Sequence, residues 1–273
     1  MKTFRLAAVL VCIALAGYGF YRIVLHVRAP VVPAIIDRTD DAHRMLASSV
    51  DARVNRYFFD RPQKDRTGSP RLVALTFDDG PYPVETPLLL DVLRDLHVPA
   101  TFFLIGRDAE EFPQLARRIA AEHHEIANHT LTHPADFEQL SAHSVQWQLE
   151  GGADALETMV RDPSIRSEMR PPHGRFTEAT VRAAQAAGYS VVLWNDDPGD
   201  WRSVPAATLV EHIERSATAP DIILLHSGRL TTVEMLPEIV ARFRKAGFTF
   251  VTARDLLRRV PHSIVNHPAK TPI

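Results

Sequence analysis

Short apolar runs alternate with helix-like segments from residue 71 to residue 259, and this alternation constrains the fold more than any other feature. The apolar runs predict strands at 72–77, 101–105, 125–129, 167–171, 190–195, 221–226 and 248–252. The amphipathic segments predict helices at 87–96, 110–121, 137–160, 177–187, 206–216, 233–246 and 253–259. Strands separated by helices of this length form parallel sheets. About seven such units predict an α/β protein with a distorted (β/α)7 barrel, and an open doubly wound sheet is the alternative.

The composition excludes several classes of protein. Apolar residues make up 45% of the chain and charged residues 23%, as in an ordinary globular protein. The net charge of -2 provides no overall basic field, so we expect no nucleic-acid partner, and no obligate protein partner is evident. Cys12 is the only cysteine, which excludes a disulfide framework and a CxxC zinc or redox site.

Residues 1–28 predict a membrane anchor or an export signal. Lys2 and Arg5 precede an uncharged run over 6–20, the pattern of a secretory signal. Apolar residues continue to residue 27, so the segment reaches the roughly 20 residues that span a bilayer. We favour an uncleaved transmembrane anchor over a cleaved signal peptide or a buried helix. Positive residues stay on the cytoplasmic side, so we expect the remainder at the extracytoplasmic face of the membrane, in the cell envelope, or secreted if the signal is cleaved.

The rest of the chain divides at changes in composition. Residues 29–69 predict a connector, partly helical, because prolines follow the apolar run and an amphipathic segment comes after them. Residues 70–261 contain the strand–helix units and predict one catalytic domain. Residues 262–273 predict a C-terminal tail.

Polar side chains stand where the predicted strands end. In parallel α/β folds, ligands bind at the carboxyl ends of the strands. Any one of these side chains could instead cap a helix or be a buried structural histidine. Such an explanation would have to apply separately at each of five strand ends, which favours a functional site. The side chains are Asp78, Asp79, His129, His133, Arg170, His173, Asp197, Asp200, Trp201 and His226.

Asp79, His129 and His133 are a plausible set of ligands for one divalent metal ion. Two imidazoles and a carboxylate with open positions suit a hydrolytic site. We expect zinc, with cobalt, nickel or manganese as alternatives. The adjacent Asp78 is then available to take a proton from water activated at the site.

The other polar residues suggest an acid and its supports. His226 is a candidate general acid for a leaving amine, and Asp200 could hold it charged and oriented. The guanidinium of Arg170 could pair with Asp78 and position it. Three side chains could wall a small substrate pocket: His173, Trp201 and Leu224.

These segments together resemble the polysaccharide deacetylase family, which carries the NodB homology domain. The matching motifs are 76–81 (TFDDGP), 129–133 (HTLTH), 170–174 (RPPHG), 197–201 (DPGDW) and 224–226 (LLH). One such motif is moderately specific, whereas five in order at strand ends are strong. The resemblance covers about residues 71–260 and implies a distorted (β/α)7 barrel of the NodB-like type.

The resemblance also implies roles for individual residues. By motif position, Asp78 is the base and His226 the acid, and the metal ligands are the three named above. Arg170 supports the base and Asp200 tunes the acid. The chain departs from the family at His173, where an aromatic ring that could stack on the substrate is frequent. It departs again at Ser227, where aspartate is frequent, and we expect that change to matter little.

The implied activity is metal-dependent removal of N- or O-acetyl groups from a glycan. We expect hydrolysis of N-acetyl groups, amide bonds other than peptide bonds, of an N-acetylglucosamine-containing glycan such as peptidoglycan or an exported polysaccharide. One alternative is a glycan-binding protein that uses the same cleft without catalysis. Another is a related amide hydrolase with a small substrate.

Overall fold

The computed structural model describes residues 71–217 and 219–259 of the 273-residue chain. The predicted anchor at 1–28, the connector at 29–69 and the tail at 262–273 lie outside these described residues. Within them, no helix is both long and apolar enough to cross a bilayer.

Seven parallel strands form the sheet. They are β1 (Arg71–Asp78), β2 (Thr101–Leu104), β3 (Glu125–Asn128), β4 (Glu168–Met169), β5 (Ser190–Val191), β6 (Asp221–His226) and β7 (Phe248–Phe250). Their order is β5-β4-β3-β2-β1-β6, and β7 pairs with the first residues of β1. The main chain beyond β5 reaches β6, because Leu224 N–H donates to the carbonyl of Asp196 at 2.9 Å. The predicted α/β class and parallel strands are thus confirmed. The sheet curves into a partial barrel, and β7 is not part of the continuous order of the other six strands.

Eight α-helices connect the strands in the described residues. They are α1 (Glu85–Leu96), α2 (Gly106–Glu111), α3 (Pro113–Ala121), α4 (Ala142–Val160), α5 (Glu178–Ala186), α6 (Ala206–Ser216), α7 (Leu230–Lys245) and α8 (Ala253–Arg259).

Local chemistry explains where the predicted helices differ from the observed ones. The segment 110–121 was expected to be one helix, but it is divided between α2 and α3. Pro113 lacks an N–H and therefore begins a new helix, where that donor is not needed. The segment 137–160 is also divided, because the side chain of Ser141 accepts a hydrogen bond from Ser144 N–H and caps α4 there.

The central strand β1 separates the helix layer from the barrel interior. Val73, Leu75 and Phe77 are buried in the large apolar cluster that the surrounding helices complete. Leu72 and Ala74 belong to the second cluster, on the opposite face of the strand. Since side chains alternate along a strand, Thr76 and Asp78 lie on that second face as well. One face of β1 therefore changes from apolar to polar as it reaches its carboxyl end.

Candidate active site

Neighbouring strand ends bring the proposed acid and base together. Asp78 is the last residue of β1 and His226 is the last residue of β6. The two residues are register partners in this parallel ladder. Their side chains therefore leave the sheet on the same face.

Asp79, His129 and His133 form a three-residue cluster whose ligand atoms all lie within 4.8 Å of one another. Asp79 Oδ1 is 3.6 Å from His129 Nε2 and 3.5 Å from His133 Nε2. These separations are longer than a hydrogen bond. Two ligand atoms placed tetrahedrally around zinc are about 3.4 Å apart, which is close to the separations observed here. The three side chains are therefore spaced to hold an ion between them.

The backbone and the protonation states of the cluster suit a cation. Asp79 has a φ of 70° and His133 a φ of 50°, both in the left-handed region that non-glycine residues rarely adopt and that is found at functional sites. His129 Nδ1–H donates to the carbonyl of Arg170 at 2.9 Å, which leaves Nε2 as the ligand atom. Burial and the neighbouring His129 lower the pKa of His133 to about 4, so this ring is in the neutral, metal-binding form. The donor set fits a divalent ion such as zinc.

Arg170 and Asp78 form a buried ion pair beside this cluster. The Arg170 side chain is fully buried, and its Nη1 donates to Asp78 Oδ1 at 2.6 Å. Further hydrogen bonds run to Thr76 Oγ1 and to the carbonyls of Val192 and Leu193. Burial lowers the pKa of Arg170, and the Asp78 carboxylate opposes that change. These contacts restrict Asp78 to one orientation, and its Oδ2 lies 3.7 Å from His129 Nε2.

Asp200 holds His226 through both its side chain and its main chain. His226 Nδ1–H donates to Asp200 Oδ1 at 2.8 Å, and the His226 backbone N–H donates to Oδ2 at 2.7 Å. The hydroxyl of Thr232, which sequence reasoning missed, donates to the same Oδ2 at 2.6 Å. Burial by itself would lower the pKa of His226. The hydrogen bond and charge of Asp200, with the charges of Asp78 and Asp79, outweigh burial and raise the pKa from 6.5 to about 9.

Ser227 forms hydrogen bonds with the turn that carries Asp78 and Asp79. Its backbone N–H donates to the carbonyl of Asp78 at 3.0 Å. Its hydroxyl reaches the carbonyls of Asp78 and Asp79, at 3.2 and 3.0 Å. An ionised aspartate side chain at this position would have no proton to donate to either carbonyl. Ser227 therefore ties the turn that carries both acids to the end of β6.

The three predicted pocket residues differ in their surroundings. His173 is exposed, and its ring centre lies 4.5 Å from that of His133 in an edge-to-face arrangement. Leu224 is buried in β6, in register with Thr76, and so lies below the site on the interior face. Trp201 is 37% exposed, and the guanidinium of Arg202 covers its ring at 4.5 Å. Of the three, His173 is the one whose ring contacts a member of the metal cluster.

Known proteins share both sequence and structure with this chain. Residues 65–192 match the family model described as polysaccharide deacetylase. A peptidoglycan-N-acetylglucosamine deacetylase of Bacillus cereus is 38% identical over 193 residues, which are 69% of this chain and 89% of the relative. A chitooligosaccharide deacetylase of Sinorhizobium fredii is 42% identical over 162 residues, 59% of this chain and 74% of the relative. A peptidoglycan N-acetylglucosamine deacetylase solved in complex with a substituted benzamide has a TM-score of 0.67 and 33% identity, covering 70% of this chain and 90% of that one.

Proposed function

Because the chain belongs to the polysaccharide deacetylase family, we propose that it hydrolyses N-acetyl groups of an N-acetylglucosamine-containing glycan such as peptidoglycan or an exported polysaccharide. The names of the relatives above support this substrate class. The observation that carries the proposal is the pairing of two proton-transfer groups at adjacent strand ends. Asp78 is a carboxylate paired with Arg170, and His226 is an imidazole that Asp200 keeps protonated.

Asp79, His129 and His133 would hold the divalent ion, with zinc preferred for their donor set. Such an ion, when bound, lowers the pKa of water and polarises a carbonyl oxygen. The remaining chemistry belongs to the side chains. Arg170 holds the carboxylate of Asp78 in place, so that its free oxygen can accept a proton from the attacking water.

His226 completes the reaction on the leaving-group side. Because Nδ1–H is engaged by Asp200, Nε2–H is the proton available for donation to the amide nitrogen. One C–O bond forms from water, the C–N bond breaks, and the nitrogen leaves as an amine. The products are acetate and a free amino sugar, and every atom of the water is accounted for.

We further propose that this reaction takes place at the extracytoplasmic face of a membrane, in the cell envelope. The support is the charge pattern of Lys2 and Arg5 before an uncharged run. A membrane-anchored enzyme would reach peptidoglycan or an emerging polysaccharide directly.

Acetate release from a panel of glycans tests the activity. Purified protein is incubated with peptidoglycan, poly-N-acetylglucosamine, N-acetylchitotetraose or acetylated xylan, each with zinc, cobalt, nickel or manganese. We expect release from at least one N-acetylated glycan, at least 100-fold lower for Asp78→Asn. The matched control is Asp95→Asn, since that side chain is 73% exposed, and it should retain full activity.

Two results would contradict the proposal. Binding of N-acetylated glycans without acetate release under any metal would indicate the non-catalytic glycan-binding alternative. Release from acetylated xylan alone would indicate an O-deacetylase instead.

A further inference from the structure

Residues 129–133, here called the metal loop, carry two of the three proposed metal ligands and have an unusual backbone. His129 and His133 are its first and last residues, and the Nε2 atoms of both lie within 3.6 Å of Asp79 Oδ1. Thr130 has a φ of 71° and His133 a φ of 50°, in the left-handed region that such residues rarely adopt. This conformation persists only where surrounding contacts impose it. The contacts that hold the metal loop therefore help to build the site.

Gln148 on α4 holds the middle of the metal loop through a buried side chain. Its Oε1 accepts from the backbone N–H groups of Leu131 and Thr132, at 3.1 and 3.0 Å. Its Nε2 donates to the Thr132 hydroxyl at 2.7 Å, and its main-chain carbonyl also accepts from Leu131 N–H at 2.9 Å. A primary amide has an oxygen that accepts from two donors and an NH₂ group that donates to a hydroxyl. Gln148 therefore meets the hydrogen-bonding needs of this part of the metal loop with one side chain.

Gly152, one turn further along α4, lets the metal loop approach the helix closely. A Cβ atom at this position would lie 2.7 Å from Asn128 Oδ1 and 2.9 Å from the carbonyl carbon of Thr130. Both distances are too short for a real contact, and the second involves backbone, which cannot rotate away. Asn128 Oδ1 in turn accepts from Thr130 N–H at 2.8 Å. A glycine weakens a helix interior, and here its small size is needed because the backbone of the metal loop packs against it.

The preceding residue, Gly151, has different surroundings. The three atoms nearest to a Cβ placed there all belong to the side chain of Leu131, and the closest is Cδ2 at 2.8 Å. This methyl group is at the end of a flexible side chain and can turn away by a change of rotamer. Gly151 and Gly152 share one helix and one intrinsic helix preference. They differ in what packs against them, which is a side chain at Gly151 and the main chain of the metal loop at Gly152.

We propose that α4 is the template that shapes the metal site, with Gln148 and Gly152 as positioning residues. Neither is a metal ligand, and both act through the backbone of the metal loop, which sets the directions of the His129 and His133 rings. Metal binding requires ligand atoms placed to within about 0.2 Å, so a displaced loop lowers the affinity. The inference rests on the proposed function, since it takes the metal site from it, and it adds the residues that shape this site before an ion binds.

Zinc affinity, measured by competition with a chelator, tests the template with two matched pairs of variants. Gln148→Met keeps the length of the side chain but removes its acceptor and its donors, and it should weaken zinc binding about tenfold. Gln146→Met, at an exposed position on the same helix, is its control and should bind like the wild type. Gly152→Ala should also weaken binding about tenfold, whereas Gly151→Ala should bind close to the wild type. Alanine favours a helix at both glycine positions, so a loss at one alone is not a loss of helicity.

Three further measurements separate positioning from a general loss of stability. With saturating cobalt, the visible spectrum reports on ligand geometry, and its bands should change in Gln148→Met and Gly152→Ala but not in the two controls. In the metal-free protein, amide hydrogen exchange at Leu131 and Thr132 should become faster in Gln148→Met than in Gln146→Met. Gln148→Glu keeps an oxygen for the two N–H groups and should recover most of the zinc affinity that Gln148→Met loses.

The possible outcomes separate the template from the proposed activity. Zinc affinities of Gln148→Met and Gly152→Ala that equal those of their controls overturn the template, even if the wild type releases acetate. An equal loss in all four variants also overturns it, because α4 would then act through overall stability. If Gly152→Ala does not fold, the glutamine pair decides. If the wild type binds no zinc, the ligand assignment of the proposed function fails, and hydrogen exchange in the metal-free protein still decides whether Gln148 holds the metal loop.

Discussion

Replacing Asp200 with asparagine should move the alkaline limit of activity to lower pH. The substitution preserves the shape of the side chain but removes the negative charge that contacts His226 through two hydrogen bonds. The pKa of His226 is about 9, compared with an ordinary value of 6.5. This difference corresponds to roughly 3 kcal/mol, since one pKa unit is about 1.4 kcal/mol. Without this charge, Asp200 no longer offsets the effect of burial, which lowers the pKa of His226. We therefore expect the pKa of His226 to fall towards 6.5.

The direction of the change follows from the acid role. A proton donor works below its pKa and fails as the pH rises through it. At pH 8, a group with a pKa of 9 is about 90% protonated, whereas a group with a pKa of 6.5 is about 3% protonated. We therefore expect kcat/KM at pH 8 to fall about 30-fold in Asp200→Asn and to recover towards pH 6. The assay is acetate release from N-acetylchitotetraose between pH 5 and pH 10, with the same saturating metal for both proteins.

Thr232→Val provides the control for this experiment. It removes one hydrogen bond to Asp200 Oδ2 but leaves the carboxylate charged, so the alkaline limit should move by less than one unit. An alkaline limit that stays near pH 9 in Asp200→Asn would refute the reasoning, since another group would then set it. A uniform loss of activity at all pH values would instead show that Asp200 acts on geometry alone.

The remaining predictions concern the metal cluster and the buried supports. His129→Ala should lose the bound ion by elemental analysis while its circular dichroism stays native. Arg170→Met leaves its partner carboxylate buried without a counter-charge and should lower the free energy of unfolding by about 3–5 kcal/mol, measured in urea. Ser227→Ala removes the hydroxyl that donates to the catalytic turn and should weaken zinc affinity about tenfold by competition with a chelator. Gly174→Ala places a methyl group against the ring of Trp194 at a φ of +64° and should lower the melting temperature by several degrees.

Much of the fold was predictable because its periodic signals are strong. The first strand, predicted at 72–77, is observed as Arg71–Asp78. The helix predicted at 206–216 is observed as Ala206–Ser216. Short elements were less predictable, and the strand expected at 190–195 extends only over Ser190–Val191. Its continuation leaves the ladder to contact β6 at Asp196, a non-local pairing that local sequence does not encode.

The candidate site was predictable in its residue types but not in its full network. Asp78 and then Asp79 follow an apolar run, and His129 ends another, so their positions at strand ends could be inferred. Thr232 lies inside α7 with no motif around it, and its contact with Asp200 depends on how that helix packs. The substitution at Ser227 was expected to matter little, and that expectation stays a prediction. The contacts of its hydroxyl with the carbonyls of Asp78 and Asp79 could not be predicted, because backbone carbonyls have no signature in sequence.

The sequence by itself determined which residues lie at the strand ends, because each buried strand appears as an apolar run whose end can be read directly. It also indicated the family through five ordered motifs. Tertiary structure alone decided the electrostatics. Arg170 and Asp78 are 92 residues apart in sequence yet form a buried pair. Charge, burial and hydrogen bonding act through distance in space, and only the folded chain sets those distances.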